Sequence, residues 1–343
     1  MSNKKLTVVI PMAGFGTRLR PHTWSKPKPL VQIAGKTVLA HVLDIVSTAA
    51  NLNDCRLVFI IGYLGDKIQD YMKTNYPNVE TNYYVQEKML GQTHAIAMAR
   101  EQLEGPTLVL FSDTIVQDDM SFLLDDEEQE EAVIWVKKVE DPRRFGVVVT
   151  GEDGYVQQII EKPDSMENDL AVVGYYYFKK GEDLLKAIDS QMDQNMMTKG
   201  EYYLADAIML MVKQGLKLTP KPVDIWLDAG IPDTVLATNR FLLAHGNEKM
   251  EQNVRPDDVK ITPPVYIHPS AKLKNVEIGP NVSIGPNVTV ANSHIQDAII
   301  ENGADVQSCQ LKHSLVGERA HISGLKGALV IGDDASVWAD NTD

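Results

Sequence analysis

The amino-acid sequence predicts an α/β fold with a mainly parallel sheet, followed by a parallel β-helix. Short apolar runs alternate with helical patterns through the first two thirds of the 343-residue chain. From about Ile261 the helical periodicity stops, and an apolar residue recurs every five or six positions. A chain of this length can bury two separate cores, so we expect two domains.

Strands and helices alternate in the first part. The expected strands are short runs rich in apolar and β-branched residues, at residues 6–12, 56–63, 81–87 and 107–113. Leu39, Val42, Leu43 and Val46 have the spacing of one helix face, and "QTHAIAMAREQL" is rich in helix formers. This alternation predicts crossover helices between parallel strands, with ligands at the carboxyl ends of the strands.

The last part of the chain is an internal repeat. In "EIGPNVSIGPNVTV" the unit Ile-Gly-Pro-Asn-Val-Ser occurs almost twice, and Ile278, Ile295 and Leu311 mark a larger period. In a triangular coil each short strand points an aliphatic residue inward, while Gly and Asn accept positive φ at the corners. We expect a first domain over residues 1–252, a proline-containing linker over 253–264, and the β-helix over 265–343. The apolar positions of the repeat are Ile267, Leu273, Ile278, Ile284, Val290, Ile295, Ile300, Val306, Leu311, Val316 and Ile322.

Composition excludes several classes of function. A net charge of −14 opposes nonspecific binding to nucleic acid or anionic membranes, so we expect neither as a partner. The chain has no apolar run long enough for a membrane span or a signal peptide, which predicts a cytoplasmic protein. Cys55 and Cys309 lie far apart without metal-ligand spacing, which favours two buried thiols over a disulfide or a zinc site.

A glycine-rich loop follows the first expected strand: "PMAGFGTRLRPHTWSKPKPL", residues 11–30. It departs from GxGxxG because Leu19 replaces the third glycine, and GxxxxGK[ST] does not occur. What remains is a glycine turn that exposes backbone N–H groups, with Arg18 and Lys28 nearby in sequence. These groups could hold a triphosphate, and the alternative is a basic surface loop with solvated charges.

Two aspartates and a Glu-Lys pair follow other apolar stretches. Asp113 ends "LVLFSD" and Asp228 ends "IWLDAG", so their carboxylates could meet at the edge of the sheet and hold Mg²⁺. Each aspartate alone is more often a turn residue. Glu161 and Lys162, in "IIEKP", are either an exposed hairpin end or a site for a second phosphate.

Taken together, five motifs resemble the sugar-1-phosphate nucleotidylyltransferases. They are "GFGTRLRPHT…PKPL", "FSDT", "IIEKP", "GEYYLADAI" and "WLDAG", in this order. That family includes glucose-1-phosphate thymidylyltransferases and uridylyltransferases and mannose-1-phosphate guanylyltransferases. The resemblance covers the whole chain and is strongest to a glucose-1-phosphate thymidylyltransferase of the long form. It implies a Rossmann-like, GT-A-like nucleotidyltransferase domain and a left-handed β-helix of hexapeptide repeats.

The resemblance also implies roles for individual residues. Arg18, Lys28 and Lys162 would be catalytic. The nucleotide would contact Ala13, Gly14, Gly16, Thr17, Arg18, Gln86 and Gly91; the sugar phosphate would contact Gly146, Glu161, Lys162 and Gly174; Asp113 and Asp228 would carry Mg²⁺. The chain departs from the common pattern at Gln32, at Ser112 and in lacking an Asn before Gly174, and the last change leaves the sugar open.

The implied reaction is attack of a sugar 1-phosphate on the α-phosphate of a nucleoside triphosphate, with pyrophosphate as the leaving group. The expected substrates are glucose 1-phosphate with dTTP or UTP. The alternatives are a mannose-1-phosphate guanylyltransferase, an inactive regulatory or assembly subunit, and an acyltransferase that uses the β-helix. The open coil ends of a β-helix also favour a homo-oligomer.

Overall fold

The computed structural model describes residues 5–124, 130–246 and 258–339. The chain forms two compact units that interleave along the sequence. Unit 1 comprises Met1–Gly14 and His41–Trp226, and unit 2 comprises Phe15–Ala40 and Leu227–Asp343. Because this division by packing is not continuous along the chain, the limits 1–252, 253–264 and 265–343 stay a prediction. Residues 253–257 of the predicted linker lie outside the described residues.

The helices are α1 (Val38–Ala49), α2 (Gly65–Asn75), α3 (Gln92–Met98), α4 (Gly181–Asp193), α5 (Leu204–Lys213) and α6 (Pro232–His245). The strands up to residue 228 are β1 (Leu6–Pro11), β2 (Gln32–Ile33), β3 (Lys36–Thr37), β4 (Cys55–Ile61), β5 (Glu80–Val85), β6 (Thr107–Leu110), β7 (Thr114–Gln117), β8 (Ala132–Lys138), β9 (Gly146–Thr150), β10 (Val156–Glu161), β11 (Leu170–Phe178), β12 (Leu218–Pro222) and β13 (Ile225–Asp228). The strands after residue 258 are β14 (Val259–Ile261), β15 (Val265–Ile267), β16 (Lys272–Ile278), β17 (Val282–Ile284), β18 (Thr289–Ile300), β19 (Asp305–Gln307), β20 (Gln310–Val316), β21 (His321–Ser323), β22 (Lys326–Gly327), β23 (Val330–Ile331) and β24 (Ser336–Trp338).

A mixed sheet forms the centre of unit 1. Strands β6, β1, β4 and β5 lie side by side and run parallel, which confirms the predicted α/β fold. Beyond β6 the sheet continues with β11, which runs antiparallel to β6, β8 and β9. Strands β9 and β10 form an antiparallel hairpin. The parallel half and the antiparallel half together share one apolar core with α3, α4 and α5.

The predicted apolar face of α1 is confirmed. Leu39, Val42, Leu43 and Val46 are all fully buried, as the i, i+3, i+4, i+7 spacing requires of a helix that packs on one side. The two cysteines are buried free thiols, as expected, and burial raises the pKa of Cys55 to about 11. None of the helices within the described ranges combines the length and apolar character that a bilayer-spanning helix needs.

Unit 2 contains a parallel β-helix whose aliphatic side chains stack in three columns. In each column, equivalent residues of successive coils pair in parallel register, so each inward side chain lies on the one before it. The columns are Ile261, Ile278, Ile295 and Leu311; Ile267, Ile284, Ile300, Val316 and Ile331; and Leu273, Val290, Val306, Ile322 and Val337. The five-to-six-residue spacing of the sequence therefore predicted the core of this unit.

Left-handed backbone marks the corners of the coils. Asn275, Asn281, Asn287 and Asn292 have positive φ, as expected for asparagine. The same conformation also occurs at corner residues other than Asn and Gly, for which positive φ was not expected, namely Asp297, Ser308, His313, Arg319 and Asp334. The corner spacing is thus kept even where Asn or Gly is absent.

Helix α6 and residues 15–40 pack in the same unit as the β-helix. Asn239 on α6 accepts hydrogen bonds from the Ala34 backbone N–H at 3.0 Å and from the Ser283 hydroxyl at 2.7 Å. Arg240 pairs with Asp297 of β18, Nε to Oδ1, at 2.5 Å. A polar network within unit 2 therefore joins the N-terminal loop, α6 and the coils.

Candidate functional site

The glycine turn of the loop closes on Thr23 and Lys28. Gly16 has φ +60° and precedes a 3₁₀ turn at Thr17–Leu19. The Thr23 hydroxyl donates to the Gly16 carbonyl oxygen at 2.8 Å. A Cβ on Gly16 would lie 3.3 Å from Lys28 Cβ, so the lysine stands beside the turn although it lies twelve residues further along the chain. Within unit 2 the structure therefore brings together Gly16 and Lys28, two of the predicted triphosphate residues.

The remaining predicted residues of the loop differ in exposure. Ala13 is buried two residues after β1, and a Cβ on Gly62, directly after β4, would lie 2.5 Å from the Ala13 carbonyl oxygen. Gly14, Thr17 and Arg18 are exposed. Backbone and guanidinium donors at these positions can reach a ligand in solvent.

Gln86 and Gly91, the predicted base-binding residues, are in direct contact in unit 1. The Gln86 side chain is buried, and its Nε2 lies 3.2 Å from the Gly91 carbonyl oxygen and 3.0 Å from His94 Nδ1. Burial, and then the charge of Lys88, lower the pKa of His94. An amide nitrogen can only donate, so His94 Nδ1 is the acceptor in this contact. The two amide hydrogens of Gln86 are thereby directed at protein acceptors, and the orientation of the amide is fixed.

Gly91 is required by its surroundings. Its φ is +100°, and a Cβ there would lie 2.5 Å from the carbonyl oxygen and 2.7 Å from the nitrogen of Tyr202. The Tyr202 N–H donates to the Leu90 carbonyl oxygen at 2.8 Å, and the Tyr202 carbonyl oxygen accepts from Thr93 N–H at 3.1 Å. Tyr202, from the motif "GEYYLADAI", thus holds the segment that carries Gly91.

The predicted sugar-phosphate residues Gly146, Glu161 and Lys162 meet at one end of the β9–β10 hairpin. Gly146 is paired with Glu161, and a Cβ on Gly146 would lie 3.0 Å from Glu161 Oε2. Lys162 follows with φ +47°, and its N–H donates to the Phe145 carbonyl oxygen at 3.0 Å. Its ammonium lies 3.8 Å from Glu161 Oε1 and is exposed to solvent. A positive group in this position is available to an anionic ligand.

Gly174, the fourth sugar-site candidate, lies on β11 against the segment that leads to Asp113. Its φ is +101°, and a Cβ there would lie 2.6 Å from Phe111 Cδ2. Phe111 N–H donates to the Gly174 carbonyl oxygen at 3.1 Å. On the next residue, burial and the Asp113 carboxylate raise the pKa of Tyr175, whose hydroxyl donates to the Thr114 carbonyl oxygen at 2.8 Å.

The two candidate metal ligands lie in different units. Asp113 is in the turn between β6 and β7 in unit 1, and Asp228 is the exposed last residue of β13 in unit 2. The Thr238 hydroxyl donates to the Asp228 carbonyl oxygen at 2.9 Å, and a Cβ at Gly230 would lie 2.8 Å from Asp228 Oδ1. Carboxylate oxygens are among the ligands that Mg²⁺ prefers, so each aspartate offers a suitable donor.

Sequence reasoning missed a buried charged cluster in unit 2. Lys26, from the glycine-rich loop, contacts Glu301, Glu318 and Asp333, and His22 lies beside them. The sequence offered one weak sign of this cluster: Glu301 follows Ile299 and Ile300, a charge at the end of an apolar run of the repeat.

Comparison with known proteins gives family and fold. Residues 7–245 match the family model described as Nucleotidyl transferase, and residues 261–341 match the GMPPB C-terminal domain. The family that the first model describes generally uses a divalent metal and acts on nucleoside triphosphates and sugar 1-phosphates.

The chain is also similar to individual proteins with nucleotidyltransferase names. The bifunctional protein GlmU of Methanococcus maripaludis is 30% identical over 269 residues, which are 78% of this chain and 62% of the relative. The UTP--glucose-1-phosphate uridylyltransferase AglF of Haloferax volcanii is 29% identical over 233 residues, 66% of this chain and 93% of AglF. The chain spans about three fifths of the length of the GlmU relatives it matches.

Solved structures show the same fold. A UDP-glucose pyrophosphorylase from Acinetobacter baumanii superposes with a TM-score of 0.58 at 20% identity, over 71% of this chain and 95% of that one. The resemblance inferred from the five motifs is confirmed by the family match, which covers more than half of the sequence: the chain belongs to the nucleotidyl transferase family.

Proposed function

We propose that this protein is a sugar-1-phosphate nucleotidylyltransferase that joins glucose 1-phosphate to the nucleotidyl group of dTTP or UTP. A phosphate oxygen of the sugar 1-phosphate forms a bond to the α-phosphorus, the bond from the α-phosphorus to the bridging oxygen breaks, and pyrophosphate leaves. The observation that carries the proposal is the presence, in a nucleotidyl transferase chain, of all five charged side chains to which the resemblance gives a role in this reaction: Arg18, Lys28, Asp113, Lys162 and Asp228.

The work of these side chains is to hold two polyanions and stabilise the charge that spreads between them. The attacking phosphate is already an anion near neutral pH, so no general base is required. Lys162 holds the attacking phosphate, and Arg18 and Lys28 stabilise the departing pyrophosphate. Asp113 and Asp228 would hold Mg²⁺, which when bound supplies Lewis-acid stabilisation of phosphate oxygens. The same five residues disfavour the inactive-subunit alternative.

Base choice is assigned to Gln86. With both amide hydrogens directed at Gly91 and His94, the carbonyl oxygen of Gln86 is the atom that would accept from a base. The N3–H of thymine or uracil is such a donor. Guanine also carries a donor on its pairing edge, so mannose-1-phosphate guanylyltransferase stays the alternative, and the choice of UTP rests on the likeness to AglF.

The sugar is assigned on similar grounds. AglF is named for glucose 1-phosphate, and the Glu161, Lys162 and Gly146 constellation offers a carboxylate for hydroxyl groups beside an ammonium for the phosphate. Val173 stands where many members of the family have the Asn that contacts sugar hydroxyls. This replacement makes the sugar the first variable to test.

The test is a matrix of dTTP, UTP, GTP and ATP against glucose, mannose and N-acetylglucosamine 1-phosphates with Mg²⁺, read out as pyrophosphate release. We expect the highest kcat/KM with glucose 1-phosphate and dTTP or UTP. The purified Asp113→Asn variant serves as the control for contaminating activity. Reaction of GTP with mannose 1-phosphate alone would overturn the substrate assignment, and no release with any pair would overturn the reaction class.

We also propose self-association through the coils of unit 2. Among the described residues of this unit, Val330 and Trp338 are large apolar side chains that are 42% and 67% exposed. Light scattering of the full chain should give a mass above 38.1 kDa, and Trp338→Ser should lower it. A monomeric mass at micromolar concentration would contradict the proposal.

A further inference from the structure

Lys26 is a buried charged residue of the glycine-rich loop, and only 5% of its surface is exposed. Its ammonium contacts Glu301 Oε2 and lies 3.1 Å from Glu318 Oε1 and 3.4 Å from Asp333 Oδ2. Burial alone would lower the pKa of Lys26, but Glu301, Asp333 and Glu318 outweigh it and hold that pKa above its ordinary value. The side chain is therefore a cation enclosed by carboxylates.

The three carboxylates come from three successive coils of the β-helix. Glu301 follows β18, Glu318 follows β20, and Asp333 follows β23. Glu318 and Asp333 are equivalent in the repeat, because Val316 pairs with Ile331 in parallel register. Glu301 lies one position before the equivalent of Glu318 in the preceding coil, because Ile300 pairs with Val316. One ammonium thus bridges three coils at the same corner, which no contact within the loop itself could achieve.

Other contacts attach the loop at the same corner. The Gln32 N–H donates to Glu301 Oε1 at 3.2 Å, and the Ser25 hydroxyl donates to Asp333. Pro21, which precedes Ser25 and Gln32 in the chain, packs closely on Gly332: a Cβ on Gly332 would lie 2.9 Å from Pro21 Cβ. Residues 21–32 are therefore fixed at several points along their length.

The attached segment includes Lys28 and contacts the glycine turn that precedes Thr17 and Arg18. Lys28 lies between Ser25 and Gln32, and Thr23 donates to the Gly16 carbonyl oxygen next to Thr17 and Arg18. Arg20 stacks on Trp24, with Cζ 3.9 Å from the ring centroid. Any shift of Lys26 would move Lys28 directly and Gly16 through Thr23.

A metal ion is the competing explanation for this cluster. Ligand atoms of His22, Glu301 and Asp333 lie within 4.8 Å of one another, and His22 Nε2 is buried without a hydrogen-bond partner. The ammonium of Lys26, however, already contacts Glu301 and Asp333 and supplies the positive charge that an ion would bring. A divalent ion next to it would meet direct repulsion.

We propose that Lys26 is a positioning residue, whose buried contacts with Glu301, Glu318 and Asp333 fix on the β-helix the loop that carries Arg18 and Lys28. The coils of unit 2 thereby set the affinity for the nucleoside triphosphate, in addition to any role in assembly. This inference rests on the proposed function for the identity of the ligand. It assigns Lys26 a role that does not involve contact with substrate.

The first test is Lys26→Met, which keeps the length of the side chain and removes its charge. We expect KM for UTP to rise tenfold or more, while KM for glucose 1-phosphate changes less than twofold, because Gly146, Glu161 and Lys162 belong to unit 1. Lys260→Met is the matched control, since it removes the same charge from an exposed ion pair with Glu277 in the same unit. Equal KM values for UTP in wild type and Lys26→Met would overturn the proposal.

Two further measurements keep the test decisive. Removal of one partner from a buried pair leaves a buried charge, so Lys26→Met can fail to fold. Lys26→Arg retains the charge and should restore most of the affinity for UTP, whereas equal loss in the Met and Arg variants would overturn a role for the ion pair. Calorimetric binding of UTP, without sugar 1-phosphate, separates this inference from the proposed function. Weaker binding to Lys26→Met than to wild type supports Lys26 as a positioning residue even if no pair of substrates reacts.

Discussion

A Cβ on Gly91 would lie 2.5 Å from the carbonyl oxygen of Tyr202, inside the closest approach of real atoms. The two residues are far apart in the chain, yet the backbone of Tyr202 is hydrogen-bonded on both sides of Gly91. Its N–H donates to the Leu90 carbonyl oxygen, and its carbonyl oxygen accepts from the Thr93 N–H. Because Gln86 donates to the Gly91 carbonyl oxygen, the backbone at Gly91 also sets the orientation of the proposed base-reading amide.

Gly91→Ala should therefore reduce both stability and nucleotide binding. A left-handed φ at a non-glycine residue costs roughly 1–3 kcal/mol, and the contact with Tyr202 adds to it. Thermal unfolding and calorimetric binding of UTP measure the two effects. Gly215→Ala is the control, because Gly215 has nearly the same φ, +99°, with no atom within 4 Å of a Cβ there. Equal losses in the two variants would show that the Tyr202 contact has no consequence.

Lys162→Ala should lower kcat by orders of magnitude and leave the fold intact. The ammonium is exposed and 3.8 Å from Glu161, and exposed ion pairs contribute only about 0–1 kcal/mol to stability. Loss of a charge that stabilises the transferring phosphate is far more damaging. The measurements are steady-state pyrophosphate release and the unfolding midpoint. Lys138→Ala, which breaks an exposed pair with Asp169, should change neither. Near-normal turnover in Lys162→Ala would remove this residue from the mechanism.

Acid should destabilise unit 2 through His22. Burial, and then the charge of Lys26, lower the pKa of His22 from 6.5 to about 4. Between these pH values the unfolded chain binds a proton that the folded chain does not, so the free energy of unfolding falls as the pH falls from 6.5 toward 4. The full effect is about 3 kcal/mol, and it is absent at neutral pH, where His22 is uncharged in both states.

Urea unfolding of wild type and His22→Asn from pH 7 to pH 4.5 tests this. The Asn side-chain amide can occupy the position of His22 Nδ1, but it has no atom at the position of Nε2, which has no hydrogen-bond partner, and it does not titrate. We expect a shallower acid slope in His22→Asn; Glu301, whose own titration has the opposite sign because burial raises its pKa, is present in both proteins. Parallel slopes in the two proteins would mean that His22 is charged in the fold.

Val306→Ala should destabilise the β-helix by about 2 kcal/mol, from two lost methyl groups and the cavity they leave. Val306 is fully buried between Val290 and Ile322 in its column. Val330→Ala removes the same atoms from a side chain that is 42% exposed and should have less than half the effect. Denaturant unfolding of both variants measures the difference, and a larger loss at Val330 would contradict the assigned core.

Local patterns predicted the elements of this fold where each pattern has one physical cause. The stacking of Ile278, Ile295 and Leu311 follows from a fixed coil length, and the buried face of α1 follows from helical spacing. Strand ends were less accurate: β6 stops at Leu110 rather than Asp113, because the chain turns at residues 112–113 before β7 starts at Thr114.

The antiparallel half of the sheet and the Lys26 cluster could not be predicted. Strand order depends on which apolar faces meet in space, and no periodicity records that β11 lies between β6 and β8. Lys26 and Glu301 are 275 residues apart, and a single lysine in a proline-rich loop gives no indication of a partner at that distance. In contrast, the sequence motifs did predict two pairs of site residues, because the members of each pair are near neighbours in the chain. These pairs are Gly16 with Lys28 and Glu161 with Lys162.

The interleaving of the two units limits how such a protein can be recombined. The chain passes from one unit to the other after Gly14, after Ala40 and within β13 after Trp226. A gene fusion that exchanged only the C-terminal repeat would combine the coils of another protein with the original residues 15–40. Lys26 would then be buried without the carboxylates of Glu301, Glu318 and Asp333. Swapping the repeat between homologues therefore requires residues 15–40 to be transplanted with it, so that two separate stretches of the gene behave as one inherited module.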